Sequence, residues 1–182
     1  MPSTLFTDAN HICIVTADID RAVRVWSDKY GVGPWQVFSY DSSTMTALVA
    51  GEPTAFAMRA ALCQLGPHFR VEIIQPVGGG SPYAESLGRH QGADHVHHVR
   101  LDVADYGSAI ERLRGSGLAT RMDMTFQNAS PDGPGLTATY LGTEDDLGFI
   151  LEIAHRPPGF TMPEPDYICP ASDPVQGCGP CS

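Results

Sequence analysis

HICIVTADIDRAVRVWSDKYGV, residues 11–32, and HVRLDVADYGSAIERLRGSGL, residues 98–118, are two renderings of one pattern. At an offset of 87, with no gap, His11 lands on His98, Ala17-Asp18 on Ala104-Asp105 and Ala22 on Ala109. In each copy a β-rich run reaches the Ala-Asp pair, and an amphipathic stretch then stops at a glycine. Asp18 or Asp20 in the first copy and Asp105 in the second are placed to cap a helix, since a short acceptor side chain satisfies the unpaired amides of a first turn. Ala22, Val23, Val25 and Trp26 supply the apolar positions of one helix, and Ala109, Ile110 and Leu113 those of the other. Self-similarity over this length fixes the architecture before any single residue does.

Working outward, strand-like runs separated by Gly, Pro, Asn and Asp follow each helix. They are WQVFSYD, a run over 45–49, AMRAALCQL and RVEIIQPV in the first half, and ATRMDMTF, LTATYLG and FILEIAH in the second. Each half closes on an acid inside an apolar run, Glu72 in VEII and Glu152 in LEIA. The spacing predicts a first βαβββ module over 8–77, a linker with a short helix over 78–94, a second module over 95–156, and a Pro/Cys-rich tail over 157–182. The fold class is α+β: two βαβββ modules sharing a curved, mostly antiparallel sheet around a cup.

Side chains alternate along a strand, so His11 shares a face with Cys13 and Val15, and His98 with Val96 and Arg100. A lone buried His is ordinarily a hydrogen-bonded core residue, and a lone strand Glu an edge position. A carboxylate in mid-strand among apolar neighbours is costly unless paired or bound to a cation. Two of them, each matched to a His at the start of its own repeat, call for one common explanation. His11, Glu72, His98 and Glu152 are the expected ligands of one divalent metal ion: Zn, Ni, Co, Mn or Fe. Glu152 or Glu72 is the expected catalytic base. Arg100 is a candidate for a substrate carboxylate or phosphate, or else pairs with Glu72 or Asp102. Trp35, Phe38, Phe56 and Tyr140 are candidates to line the cup, with plain core packing as the alternative. His97 points to the opposite face from His98, toward packing or support of a ligand.

Composition excludes several function classes. The chain has 182 residues, a net charge of −10, 42% hydrophobic and 18% charged residues. Such an acidic surface repels phosphate backbones and anionic lipid, so neither nucleic acid nor membrane is an expected partner. No apolar stretch nears the roughly 20 residues that cross a bilayer, and MPSTLFTDAN has no basic or apolar leader, so a cytoplasmic location is expected. Cys13 and Cys63 read as buried thiols. Cys169, Cys178 and Cys181 read as exposed thiols of a mobile tail, or else as a zinc clip or disulfide.

The blocks NHICIVTADIDRA (10–22), GADHVHHVRLDV (92–103) and LGFILEI (147–153), in this order, resemble the vicinal oxygen chelate superfamily. That is the glyoxalase, bleomycin-resistance and extradiol dioxygenase group, and the likeness spans about 8–156. The resemblance implies ligands from the first and last strands of each half, here His11, Glu72, His98 and Glu152. It also implies chelation of two neighbouring oxygens of a small carbonyl substrate, with stabilisation of an enolate or enediolate. Glyoxalase I shares the His, Glu, His, Glu set, and by that likeness Glu152 is favoured as the base. Methylmalonyl-CoA epimerases share the helix-containing linker but carry Gln where Glu72 stands. They also carry a catalytic Glu on the preceding strand, where MRAALCQL (58–65) has no acid. An Fe(II) dioxygenase and a non-catalytic binding protein are the other activities the resemblance admits. A homodimer is a compatible assembly.

Overall fold

The computed structural model describes residues 4–170. The chain runs β1 (Phe6–Val15), α1 (Ile19–Tyr30), β2 (Trp35–Tyr40), β3 (Met45–Val49), β4 (Glu52–Pro53), β5 (Phe56–Leu65), β6 (Phe69–Gly79), α2 (Pro82–Arg89) and β7 (His95–Val103). It continues through α3 (Tyr106–Gly115), β8 (Thr120–Phe126), β9 (Leu136–Leu141), α4 (Glu144–Leu147), β10 (Ile150–His155) and β11 (Tyr167–Cys169). Asp18 caps α1 by accepting the Arg21 amide at 2.9 Å, and Asp105 caps α3 by accepting that of Ser108 at 2.7 Å. Gly31 ends α1 in the left-handed conformation, where a side chain would be strained. The buried face of α1 is Ile19, Ala22, Val23 and Ser27. Val25, expected on that stripe, is 40% exposed, because two residues of helix turn it about 200° from Val23.

All eleven strands form one sheet, ordered β11-β2-β5-β6-β1-β7-β10-β9-β8-β3-β4. Two equivalent blocks are visible in that order, β2-β5-β6-β1 and β8-β9-β10-β7, joined back to back by antiparallel pairing of β1 with β7. Pairing is parallel only for β1 with β6 and β7 with β10. The run 45–49 does not join the sheet of the half that encodes it. A turn built on Asp41, whose carbonyl accepts the Met45 amide at 2.9 Å, sends β3 across to the far edge, where it pairs with β8. The first half thus supplies the last strands of the second half's sheet.

Helices α1 and α3 cover the convex side, over clusters that include Trp35 and Ile73 under α1 and Leu141 and Ile153 under α3. The concave side holds the largest cluster, with Tyr40, Met58, Ile74, Met122 and Tyr140. Helix α2 stoppers one end of the cup with Tyr83, whose ring meets those of Phe56, His97 and Tyr140. Two expectations need correction. Residues 157–170 are not a loose tail, since Phe160 is buried in the concave cluster and Met162 packs on it. Nor is Cys169 an exposed thiol: it is buried on β11, which pairs with the edge strand β2. Arg59 holds β11 in place, with Nη2 2.5 Å from the Tyr167 hydroxyl and 2.9 Å from Asp20. Cys178 and Cys181 lie outside the described residues. Among the described residues no helix is long and apolar enough to cross a membrane.

Trp35 lies behind the sheet, under α1 and against Trp26, with Nε1 donating to the Val32 carbonyl at 2.8 Å. Trp35→Ala is expected to cost about 3–5 kcal/mol in denaturant unfolding, the usual range for emptying such a site. A cost under about 1 kcal/mol would contradict this placement.

Candidate metal centre

Four neighbouring strands, β6, β1, β7 and β10, carry the site on their concave face. The β1–β7 register sets His11 opposite Arg100 and Cys13 opposite His98. The β1–β6 register sets Arg70 beside His11 and Glu72 beside Cys13, and β10 brings Glu152 beside Arg100. Each acid therefore sits level with the position two residues beyond the histidine of its own half. At that position one copy has Cys13 and the other Arg100.

The side chains converge. The Nε2 atoms of His11 and His98 are 3.1 Å apart. Glu152 Oε2 lies 3.1 Å from the first and 3.0 Å from the second; Glu72 Oε2 lies 3.4 Å and 3.3 Å from them. Ligands about 2.0–2.2 Å from a divalent ion are spaced about 3.0 Å apart in an octahedron and about 3.4 Å in a tetrahedron. His11, His98 and Glu152 thus form a group that can hold a metal ion, and Cys13, Glu72 and His98 form an overlapping one. Two further observations fit an ion. Glu152 Oε2 is buried without a hydrogen-bond partner, and two imidazoles aim the same ring nitrogen at each other. The opposite ring nitrogens are held from behind. His11 Nδ1 meets Asn10 Oδ1 at 3.3 Å, and His98 Nδ1 meets His97 Nδ1 at 3.0 Å, contacts that fix ring orientation as supporting groups do around metals.

Electrostatics keep the two carboxylates in ligand form, while the charge around His98 favours a proton there that an ion would displace. Burial raises the Glu152 carboxyl, but His11 and His98 outweigh it and hold it well below the usual range; Glu72 is lowered in the same way. Burial opposes charge on His98, yet Cys13, Glu152 and Glu72 keep it well above an ordinary imidazole. Burial pushes the Cys13 thiol up to about 12, so it stays protonated at neutral pH. Burial likewise drives the Tyr83 and Tyr140 phenols up.

The centre opens on a cavity of about 420 Å³. Of the residues expected there, Arg100 and Tyr140 line it. Phe38 lines a neighbouring recess with Gln36 and Pro163, Phe56 is core, and Trp35 faces away. Tyr83, Asn10, Arg70, Arg156 and Phe160 line it unannounced by the sequence reading. Cys13 was on the correct face by alternation but carried no other signal.

The model of the glyoxalase/bleomycin resistance protein/dioxygenase superfamily matches residues 10–130, well over half of the chain. The chain belongs to this superfamily. Among solved structures, methylmalonyl-CoA epimerase from Mycobacterium tuberculosis is similar at TM-score 0.60 and 19% identity, over 87% of this chain and 93% of the epimerase. A methylmalonyl-CoA epimerase in complex with methylmalonyl-CoA and NH4+ is similar at TM-score 0.60 and 17% identity, over 86% of this chain and 99% of that one. A hypothetical protein from Bacillus halodurans is similar at TM-score 0.58 and 15% identity, over 82% and 94%. At these identities the likeness is one of fold. No curated protein matches the chain significantly in sequence.

In this superfamily member the hydroxyls of Tyr83 and Tyr140, both deeply buried, pair at 2.9 Å behind His98. Tyr83→Phe is expected to cost roughly 1–2 kcal/mol, because it strands the Tyr140 hydroxyl. Removing both hydroxyls should cost less than the two single changes together. Urea unfolding of the three variants checks this, and strict additivity would break the pairing argument.

Proposed function

We propose that the chain is a divalent-metal-dependent isomerase or lyase of the glyoxalase type, acting on a small carbonyl compound. The observation that carries the reading is the meeting of two imidazole nitrogens and two carboxylate oxygens at 3.0–3.4 Å, at the floor of a cavity. His11, Glu72, His98 and Glu152 would hold the ion. When bound, a divalent ion supplies Lewis acidity that stabilises negative charge developing on a carbonyl oxygen. Glu152 is the base that moves the proton, and Glu72 maintains the charge balance of the site. Asn10 and His97 fix the imidazoles. Tyr83, Met58 and Leu62 wall the cavity and keep bulk water from the reacting oxygen.

The epimerase fold relatives bring acyl-CoA epimerisation in as a second reading, which uses the same enolate chemistry. Against it, the side of β5 that faces the cavity offers Met58 and Leu62, so no second acid stands on that strand. Dioxygenase chemistry and turnover-free binding are separated from both by oxygen uptake and by metal content.

Purified chain should carry or take up about one divalent ion. Free ion at about 100 times its Kd should raise unfolding stability by about 2.7 kcal/mol. Metal-loaded chain should catalyse proton–deuterium exchange next to the carbonyl of 2-hydroxy or 2-acyl carbonyl compounds, and Glu152→Ala should lower that rate by about 10²-fold or more. Absence of a stoichiometric ion, together with exchange indifferent to Glu152→Ala, would sink the proposal.

A further inference from the structure

Three arginines share the cavity with the candidate centre. Arg70 and Arg100 flank His11 in the β-register, one on each side, and Arg156 follows directly on the end of β10. Their guanidinium groups are poorly matched by the protein itself. Arg70 donates from Nη2 to Asn10 Oδ1 at 2.5 Å, a neutral acceptor. Arg100 Nε is buried with no hydrogen-bond partner, and its carboxylate neighbour, Asp102 Oδ1, stands off at 3.5 Å. Arg156 lies over the Phe160 ring at 5.4 Å and only grazes the Phe160 carbonyl at 3.5 Å. Among the described residues Arg100 alone of the three has a carboxylate within 4.0 Å.

The charge balance points the same way. The three arginines match the three carboxylates that line the cavity, Glu72, Asp102 and Glu152. A divalent ion at the centre therefore leaves two positive charges in excess, inside a chain of net charge −10. Arg70 and Arg100 are half-buried and Arg156 is exposed, and guanidinium groups grouped in this way are completed by an anion. The same cavity is also lined by apolar side chains, Met58, Phe126 and Leu136 among them.

We propose that this end of the cavity is an oxyanion subsite: Arg70, Arg100 and Arg156 take a carboxylate or phosphate of the substrate, whose apolar body lies against Met58, Phe126 and Leu136. The guanidinium fork suits both anions. The inference rests on the preceding reading for the carbonyl end, and names the substrate class as a small anionic carbonyl compound. It also assigns Arg70 and Arg156 as substrate-binding residues alongside Arg100.

Isothermal titration tests it with three probes: 3-phenylpropanoate, 2-phenylethylphosphonate and the neutral 3-phenylpropanamide. Each is titrated into zinc-loaded and metal-stripped chain. At least one anionic probe should bind about tenfold or more tightly than the amide, as charge-assisted hydrogen bonds allow, and the preferred anion distinguishes carboxylate from phosphate. Arg70→Gln/Arg156→Gln should abolish the preference, and Arg70→Lys/Arg156→Lys should retain part of it. Should the Gln pair fail to fold, the Lys pair and the fall of the wild-type preference with added salt carry the test. Equal binding of acid and amide by the wild type overturns the subsite. So does a preference that survives the Gln pair, since the anion then sits on the ion. A chain that takes up no zinc defeats the metal reading alone, because an arginine-dependent preference in stripped chain still stands by itself.

Discussion

The antiparallel pairing of β1 with β7 is the contact on which the rest of the molecule depends. It sets the two halves back to back and brings His11 and His98, 87 residues apart, to an Nε2 separation of 3.1 Å. Each of these strands has a parallel neighbour from its own half, and those neighbours deliver Glu72 and Glu152 to the same point. A slip of one residue along β1 would turn His11 to the helix-covered face and leave both buried carboxylates with His98 alone. The sheet register and the site chemistry are therefore one constraint. Removing one member of a buried charged group strands the others, which is far more costly than never having built it.

The superfamily frame leaves the activity to the site, and the two halves of this site differ where it matters most. At the position two beyond the histidine, one half has a thiol and the other a guanidinium. Cys13 makes the floor compact and mildly soft, whereas Arg100 makes the opposite side strongly cationic. The duplicated frame thus sets a thiol level with Glu72 and a guanidinium level with Glu152. Pseudo-symmetry supplies the geometry, and its departures make the two sides of the site chemically distinct.

Much of this was legible in the sequence because it rests on local periodicities. The repeat placed both helices and their Asp caps, and strand alternation put His11, Glu72, His98 and Glu152 in mid-strand as a matched set. What escaped depends on contacts between distant segments. Trp35 reads like Phe38 and Tyr40, but β2 is buried on both faces, so burial along it no longer alternates and gives no side. Alternation sets Arg70 on the face of Glu72 but gives it no role, Arg156 looks like an ordinary surface charge until the sheet curves, and Phe160 reads as loop because its cover comes from the cup itself. The crossing of β3 carries no sequence signal at all. Its alternation fits a strand in either half, and the choice is made by the unpaired edge of β8.

That crossing has a kinetic consequence. The partners of β3 on β8, from Met122 to Phe126, lie about 80 residues further along the chain than Met45 and its neighbours. During synthesis the first half emerges with a strand paired only to the two-residue β4, and its other edge must wait until the second half arrives. Loop closure on this scale comes late and slows folding toward the millisecond-to-second regime of non-local β topologies. It also ties the halves into one cooperative unit. The arm is the first half's claim on the second, and neither sheet edge is finished until the whole cup has closed.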